Sequence, residues 1–215
     1  MNSIKDERRG IFITVEGSDG SGKSTQIDHI KKYFKDRNIQ AIFTREPGGT
    51  HIGEKIRDII LDNDNSEMTG LTEAFLYAAA RAQHVDEKII PALKQGRIVI
   101  CDRFVDSSIA YQGYGRNLGK SVKVMNQYAV RNAVPDLTIF FDLPPEKGRE
   151  RIRRGNMTFD RLEEENIDFH NRVYRGYQEI IEEEERFAVI DASKTEEQVR
   201  DDVFAILDRL LQKGN

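Results

Sequence analysis

The stretch G-S-D-G-S-G-K-S, residues Gly17 to Ser24, decides the fold of this chain. Its spacing is G-x-x-x-x-G-K-S, and it lies between an apolar run, residues 11–15, and a helical pattern, which is the context that a phosphate-binding loop requires. The glycines let successive backbone N–H groups point at phosphate oxygens, and the helix that follows adds the positive end of its dipole. Lys23 is then expected to reach the β and γ phosphates, and Ser24 to offer its hydroxyl to Mg²⁺. The loop therefore predicts binding of a nucleoside triphosphate, without identifying the acceptor of the phosphoryl group.

Short apolar runs alternate with helical patterns along the rest of the chain. Strands are expected at residues 11–15, 39–44, 97–101, 137–143 and 187–190, and helices at 26–37, 51–61, 71–94, 122–134, 160–185 and 195–211. Pro91 is expected to weaken the end of the third helix, and Thr195 with Gln198 resembles a capping box at the start of the last one. Strands joined by helical crossovers predict a three-layer α/β fold, with a five-stranded parallel sheet and helices on both faces. No linker is evident, so we expect residues 1–215 to form a single domain.

The composition limits the class of protein and its partners. Hydrophobic residues make up 38% and charged residues 33% of the 215 positions, and the net charge of −4 argues against nucleic acid as a bulk partner. No apolar run approaches the length that spans a bilayer, and residues 1–9 lack the apolar core of a signal peptide. The single cysteine, Cys101, cannot form an intramolecular disulfide, so we expect a cytoplasmic protein. The four histidines show no metal-ligand spacing and are interpreted as surface or packing residues: His29, His51, His84 and His170.

Charged residues follow the ends of predicted strands. Arg45 follows the second strand, and Asp102 with Arg103 follows the third. The carboxyl ends of parallel strands form the edge of a sheet where ligands bind. Between the fourth and fifth strands, residues 146–161 carry an arginine cluster that we interpret as part of a lid, namely Arg149, Arg151, Arg153 and Arg154. A solvated basic face is the alternative for any one of these arginines.

Four separated motifs resemble those of thymidylate kinases, in particular the bacterial branch. They are E-G-S-D-G-S-G-K-S-T at 16–25, T-R-E-P-G-G-T at 44–50, D-R-F-V-D-S-S-I-A-Y-Q-G at 102–113 and D-R-L-E at 160–163. The match covers nearly the whole chain in the right order, and the third motif is the most diagnostic. The resemblance implies a P-loop NTPase fold and transfer of a phosphoryl group from MgATP to dTMP, which gives dTDP for dTTP biosynthesis. It also implies a homodimer, with ATP and dTMP as the small-molecule partners and Mg²⁺ as the cofactor.

The resemblance implies roles for individual residues as well. ATP contacts would come from the loop residues Gly17, Ser18, Asp19, Gly20, Ser21, Gly22, Lys23, Ser24 and Thr25 and from the lid residues Arg151, Arg153 and Arg154. dTMP contacts would come from Asp19, Arg45, Tyr77, Arg81, Arg103, Ser108, Tyr111 and Gln112. The residues that act in catalysis would be Lys23, Arg103, Arg151 and Asp19, and the metal ligands would be Ser24 and Asp102. Within the lid, Arg153 and Arg154 are the alternatives to Arg151.

Some of these roles have a clear physical basis. Arg45 and Arg103 would hold the dTMP phosphate as planar forks. Tyr77, where the family usually has phenylalanine, would stack on thymine while Arg81 donates to a keto oxygen; Phe75 is expected to be a core residue if it has no part in stacking. Gly20 stands where one branch of the family has an arginine, which leaves the lid to supply a cation.

Two other functions compete with this one. A deoxynucleoside kinase has a neutral 5′-hydroxyl as its acceptor, which would call for a carboxylate base such as Glu16 and would leave Arg45 little to do. A GTPase-type binding protein would carry an Asn-Lys-x-Asp motif, which the sequence lacks and which residues 192–194 do not replace. We expect residues 191–193 to border the adenine instead.

Overall fold

Five parallel strands form one sheet in the order β2-β3-β1-β4-β5. The computed structural model describes residues 10–154 and 160–213, so residues 1–9 and the part of the expected lid at 155–159 lie outside it. The strands are β1 (Phe12–Gly17), β2 (Ala41–Arg45), β3 (Ile98–Asp102), β4 (Leu137–Asp142) and β5 (Phe187–Asp191). Each lies within two residues of its expected bounds, so the predicted sheet is confirmed.

Helices cover both faces of this sheet. In the described ranges the α-helices are α1 (Lys23–Asp36), α2 (His51–Leu61), α3 (Gly70–His84), α4 (Ile90–Lys94), α5 (Val105–Ser108), α6 (Lys120–Val130), α7 (Pro145–Arg154), α8 (Ile167–Glu183) and α9 (Glu196–Lys213). Two π-helical segments, Val85–Ile89 and Ile109–Gly115, and a 3₁₀ turn, Asn63–Asn65, complete the helical structure. None of the helices described has the length and apolar character needed to cross a membrane.

Alternate residues of β1 contribute to hydrophobic clusters on opposite faces of the sheet. Ile13 and Val15 of β1 face the layer formed by α1 and α9, where they meet Ile30 and Leu207. Phe12, which precedes Ile13 in β1, points to the opposite face and packs in the layer that contains the residues around Val85. Because both faces are covered, the central strands are buried and mostly apolar, with Thr14 and Thr138 hydrogen-bonded to each other inside the sheet.

The helix predicted at 71–94 is a continuous run with a π-helical segment in its middle. The interruption occurs at Val85–Ile89, upstream of Pro91. Pro91 lies in the first turn of α4, where a missing backbone N–H costs little, so the run continues to Lys94. The capping box of α9 is confirmed: Thr195 N donates to Gln198 Oε1 (3.2 Å) and Gln198 N donates to Thr195 Oγ1 (3.3 Å).

The helices predicted at 122–134 and 160–185 are too long. Helix α6 ends at Val130 because the backbone of Arg131 leaves the helical conformation, with φ of 49° and ψ of −113°. Helix α8 begins only at Ile167, because the side chain of Asn166 caps it by accepting from Phe169 N at 2.9 Å. Before that, Asp160 forms a separate turn in which its Oδ1 accepts from the backbone N–H groups of residues 162 and 163.

Candidate active site

The phosphate-binding loop connects the end of β1 to the first turn of α1. Gly17, Gly20 and Gly22 have φ values of 146°, 75° and 89°, which residues with a Cβ adopt at a cost. Lys23 Nζ donates to the carbonyl oxygens of Gly17 (2.9 Å) and Ser18 (2.8 Å), so the side chain folds back over the loop. Burial, and then the charge of Arg103, lowers the pKa of Lys23 to about 8. The loop therefore has the shape of a phosphate cradle with its lysine in reach.

Gly20 lies against the backbone of helix α7. A Cβ at Gly20 would lie 2.3 Å from the carbonyl oxygen of Gly148, and a Cβ at Gly148 would lie 2.2 Å from the carbonyl oxygen of Asp19. Both contacts are too short for any side chain. The loop and α7 can approach this closely only because both positions are glycine, so an arginine at position 20 is excluded on steric grounds.

Arg103 joins the loop to the region beyond β3. Its φ of 63° lies in the left-handed region, which costs conformational energy for any residue with a side chain. Such strained residues are concentrated at functional sites. Its Nη2 donates to Asp19 Oδ1, its Nη1 donates to Gly17 O (3.1 Å), and the hydroxyl of Tyr111 donates to Asp19 Oδ2 (2.8 Å). Burial alone would raise the pKa of Asp19, but the guanidinium of Arg103 and the ammonium of Lys23 hold it below its ordinary value. Asp19 is thus an ionised acceptor fixed from two sides.

A cavity opens beside the loop at the carboxyl edge of the sheet; we call it the acceptor cavity. Residues assigned to dTMP that line it are Asp19, Arg45, Tyr77, Arg81, Arg103, Tyr111 and Gln112. Ser108 does not line it, whereas its neighbour Ser107 does. Lining residues to which the sequence analysis gave no binding role include Glu46, Arg57, Asp160 and Glu163.

Arg45 and Arg81 differ in how the protein holds them. The side chain of Arg45 is 54% exposed and its Nη2 donates to Glu54 Oε2 at 2.8 Å. Arg81 is 1% exposed and donates four hydrogen bonds to protein groups, namely Glu46 Oε2, Ser108 Oγ, Asn126 Oδ1 and Phe104 O. The hydroxyl of Ser108 therefore supports Arg81 from behind the cavity.

Gln112 and Tyr77 line the rest of the acceptor cavity. Gln112 Nε2 donates to Glu73 Oε1 at 2.9 Å, while its buried Oε1 has no hydrogen-bond partner among the residues described. Burial raises the pKa of Tyr77 far above its ordinary value, so this ring is neutral at physiological pH. Phe75 is 56% exposed, which makes the expectation of a core phenylalanine wrong.

Ser24 lines a second, more open cavity, which shares Arg45 and Asp102 with the acceptor cavity. Asp102 Oδ1 is buried and has no partner in the part of the chain that the structure describes. A hydroxyl and a carboxylate oxygen are hard ligands of the kind that Mg²⁺ takes together with waters and phosphate oxygens. The donor set therefore fits Mg²⁺.

The arginines of α7 point in different directions. Arg151 Nη2 donates to Ala192 O (3.0 Å), just after β5, and Arg154 pairs with Glu150 at the surface. Arg153 is exposed. Arg149, which the sequence analysis left out of the site, lines a small cavity with Ser18 and Asp19 and donates to Glu165 O at 2.8 Å. Of these side chains, Arg149 is the one that borders the loop.

Glu16 lies beneath the loop and is fully buried. It accepts from Phe104 N (2.7 Å), Ser107 Oγ (2.6 Å) and Tyr177 OH (2.9 Å). Burial, followed by the charge of Asp106, raises the pKa of Glu16 to about 7. Glu16 does not line the acceptor cavity, so it lacks the contact with a substrate hydroxyl that a general base needs.

Sequence reasoning missed the residues that support the site from behind. Glu46 lies inside the quoted motif at 44–50, which was a usable signal. His84 follows Arg81 by three residues, so the helical period places both side chains on the same face of α3. That spacing was a second usable signal. Asn126 lies in a different helix, and nothing in the sequence connects it with Arg81.

Comparisons with known proteins agree on one family. A family model described as thymidylate kinase matches residues 15–203. A thymidylate kinase of Oceanobacillus iheyensis is 50% identical over 207 residues, which cover 95% of this chain and 92% of that protein. One from Clostridium novyi is 46% identical over 202 residues, covering 93% of this chain and 98% of that protein. The crystal structure of thymidylate kinase from Ehrlichia chaffeensis matches with a TM-score of 0.74 and 32% identity, covering 93% of this chain and 99% of that one.

Proposed function

Because this chain belongs to the thymidylate kinase family and phosphorylates dTMP to dTDP with ATP, for nucleotide biosynthesis, we propose that dTMP binds in the acceptor cavity and the ATP phosphates on the loop. The observation that carries the proposal is the acceptor cavity itself. It has Arg45 and Arg81 in its wall and also reaches Asp19 and Arg103 beside the loop. An anionic acceptor and the triphosphate would meet there.

In this arrangement Arg45 and Arg103 bind the phosphate of dTMP, and Tyr77 stacks on the thymine ring. Arg81 donates to a keto oxygen of the base, and the unpartnered Oε1 of Gln112 accepts from the ring N–H. Tyr111 occupies the space that a ribose 2′-hydroxyl would need. A base that presents an amino group in place of the keto oxygen leaves Arg81 without an acceptor, which is costly in a buried site.

On the donor side, Lys23 exchanges the carbonyl oxygens of Gly17 and Ser18 for the β and γ phosphates. Ser24 and Asp102 would hold Mg²⁺, which would supply positive charge to offset that of the phosphates. Arg151, or one of its neighbours Arg153 and Arg154, meets the charge on the transferred phosphoryl group. We also assign residues 191–193 to the adenine border, next to the point where Arg151 Nη2 donates to Ala192 O.

The reaction needs no strong general base. The second pKa of a phosphate monoester is about 6, so a dTMP oxygen is already ionised at neutral pH. That oxygen forms a bond to the γ phosphorus while the bond between this phosphorus and the bridging oxygen breaks, which leaves ADP. The arginines, Lys23 and Asp19 therefore act by positioning and by charge, and Glu16 takes no part in proton transfer.

We also propose a homodimer. Helices α2, α3 and α6 pack beside one another, and each carries two large apolar side chains exposed by 48% or more: Ile52 and Ile59, Leu71 and Phe75, Val124 and Tyr128. Exposed apolar side chains on neighbouring elements typically mark an interaction site, and a closed two-fold contact would cover this one twice. We further propose a cytoplasmic location for this protein, which its nucleotide substrates and its free, buried Cys101 thiol support.

Release of ADP from MgATP, measured with dTMP, dUMP, dCMP, dGMP and thymidine side by side, tests the proposal. We expect dTMP to be the preferred acceptor, dCMP to have a kcat/KM lower by about 100-fold or more, and thymidine to show no turnover. Equal values for dCMP and dTMP would remove Tyr77 and Arg81 from the base pocket. A preference for thymidine would favour a deoxynucleoside kinase.

A further inference from the structure

The carboxylate of Glu46 bridges two residues of helix α3. Its Oε2 accepts from Arg81 Nε at 2.7 Å, and its Oε1 contacts Nδ1 of His84 at 2.8 Å. The side chains of all three residues are at most 2% exposed. A carboxylate buried this deeply is stable only with such partners, so the bridge fixes all three side chains.

The bridge leaves Arg81 with one free donor. A guanidinium has five N–H groups in a fixed fork. Nε donates to Glu46, Nη1 donates to Ser108 Oγ (2.9 Å) and Asn126 Oδ1 (2.5 Å), and Nη2 donates to Phe104 O (3.0 Å). Within the described residues, one N–H of Nη2 remains for a ligand in the acceptor cavity, and a rotation of the fork would remove it from there.

The same bridge continues to the phosphate end of the cavity. His84 Nε2 contacts Thr44 Oγ1 at 2.7 Å, and the ring lies under Gly49, where a Cβ would come within 2.8 Å of it. Gly49 N donates to Glu54 Oε1 (2.7 Å), and Glu54 Oε2 holds Arg45. One run of hydrogen bonds thus joins Arg81 to Thr44 through Glu46 and His84, and another joins Gly49 to Arg45 through Glu54. The His84 ring packed under Gly49 connects the two runs.

We propose that Glu46 and His84 are positioning residues that determine base specificity, by aiming the free N–H of Arg81 and fixing it relative to Arg45. This inference rests on the proposed function, which assigns Arg81 to the base. Glu46, His84 and Cys101 also bring ligand atoms within 4.8 Å of one another, as in a metal site. Both carboxylate oxygens and both ring nitrogens already have hydrogen-bond partners, so the geometry favours a bridge over a metal centre.

Glu46→Asp tests the bridge, because it keeps the negative charge but is one methylene too short to reach both partners. The readout is the ratio of kcat/KM for dTMP to that for dCMP, with the KM of ATP measured in parallel. We expect the ratio to fall at least tenfold through a higher KM for dTMP, while the KM of ATP stays within twofold. Asp106→Asn is the matched control, since Asp106 also forms a buried carboxylate–arginine pair, with Arg186, but lies outside the acceptor cavity. It should lower the melting temperature and leave the ratio unchanged.

A second pair of variants tests the bridge even if Glu46→Asp does not fold. His84→Asn retains an amide N–H near the position of Nδ1 and should keep the ratio within threefold of the parent, whereas His84→Leu should lower the ratio as Glu46→Asp does. The bridge is rejected if Glu46→Asp, or His84→Leu where the aspartate variant does not fold, keeps the parental ratio within twofold. Arg81→Lys separates this failure from that of the proposed function. If Arg81→Lys lowers the ratio of kcat/KM for dTMP to that for dCMP and the bridge variants leave it at the parental value, only the bridge is wrong. If Arg81→Lys also leaves this ratio at the parental value, the assignment of the base pocket is wrong.

Discussion

The acceptor cavity and the phosphate-binding loop, on the donor side, differ in how many of their polar groups have hydrogen-bond partners. In the acceptor cavity, Arg81 and Arg103 are held by several protein groups each. Around the loop, the hydroxyls of Ser18 and Ser21 and the Oδ1 of Asp102 are buried without a partner in the described ranges. Protein groups fix the acceptor-side arginines before the nucleotide arrives and leave Gln112 Oε1 without a partner there, whereas the donor side leaves several polar atoms for phosphate and metal. Changes on the donor side should therefore cost rate. Changes on the acceptor side should cost affinity, and also stability where the altered side chain is buried.

The largest effect is expected from the lid. Replacing Arg151, Arg153 and Arg154 together with alanine should lower kcat by about 10³ or more, which corresponds to roughly 4 kcal/mol, because the cation proposed to meet the transferred phosphoryl group is one of these three. The melting temperature should barely change, since all three side chains are exposed. Steady-state kinetics at saturating ATP and dTMP, with thermal unfolding in parallel, measures both.

Arg209→Ala is the control for this variant, because Arg209 is an exposed arginine of helix α9 and should leave kcat unchanged. Arg149→Ala is measured beside the triple variant, since Arg149 borders Ser18 and Asp19. If the triple variant keeps kcat within a few-fold of the parent and Arg149→Ala does not, the catalytic role moves to Arg149.

The next effect concerns Glu16, which lies beneath the loop between the two regions. Its pKa of about 7 in the folded protein exceeds the value of 4.5 for an ordinary glutamate, so the folded state binds the proton more tightly than the unfolded state. This contribution to stability is fully present below pH 4.5 and is lost as the pH rises through 7, by up to about 3 kcal/mol. Glu16→Gln removes the titration, so its free energy of unfolding relative to the parent should increase between pH 5 and pH 8. Urea unfolding at several pH values measures this difference, and parallel pH profiles for the two proteins would contradict it.

Arg45→Ala should have a smaller effect, confined to the acceptor side. A hydrogen bond to a charged group contributes about 2 kcal/mol, so the KM for dTMP should rise roughly 30-fold while the KM for ATP stays within twofold. Stability should change little, because the side chain is 54% exposed. Arg37→Ala, at the end of α1, serves as a control of the same residue type. A higher KM for ATP with an unchanged KM for dTMP would place Arg45 on the donor side.

The sequence could predict the regular parts of both regions and not the way they are held together. The strand ends that carry Arg45 and Arg103 follow from apolar runs, and the loop follows from its spacing. The π-helical segment Ile109–Gly115, which brings Tyr111 to Asp19, gives no periodic signal. Contacts such as Arg81 with Asn126 join residues 45 positions apart, and only the assembled fold makes them neighbours. The directions of the α7 arginines likewise depend on how that helix meets Gly20.

The smallest effect is expected from the apolar surface of α2, α3 and α6. Helix α3 carries Tyr77 and Arg81 toward the acceptor cavity and Phe75 toward the outside, so a partner subunit on that surface would brace the acceptor side alone. Phe75→Glu should convert the proposed dimer to a monomer, because a charge inside an apolar contact is strongly unfavourable. Analytical ultracentrifugation gives the mass, and kinetics should show a KM for dTMP raised only a few-fold with the KM for ATP unchanged. Val189→Glu, at an apolar position of β5 that is 50% exposed and away from these helices, should leave the mass of the parent intact. A parent protein that sediments as a monomer would refute the dimer, and a Phe75→Glu variant that still dimerises would place the contact on another surface.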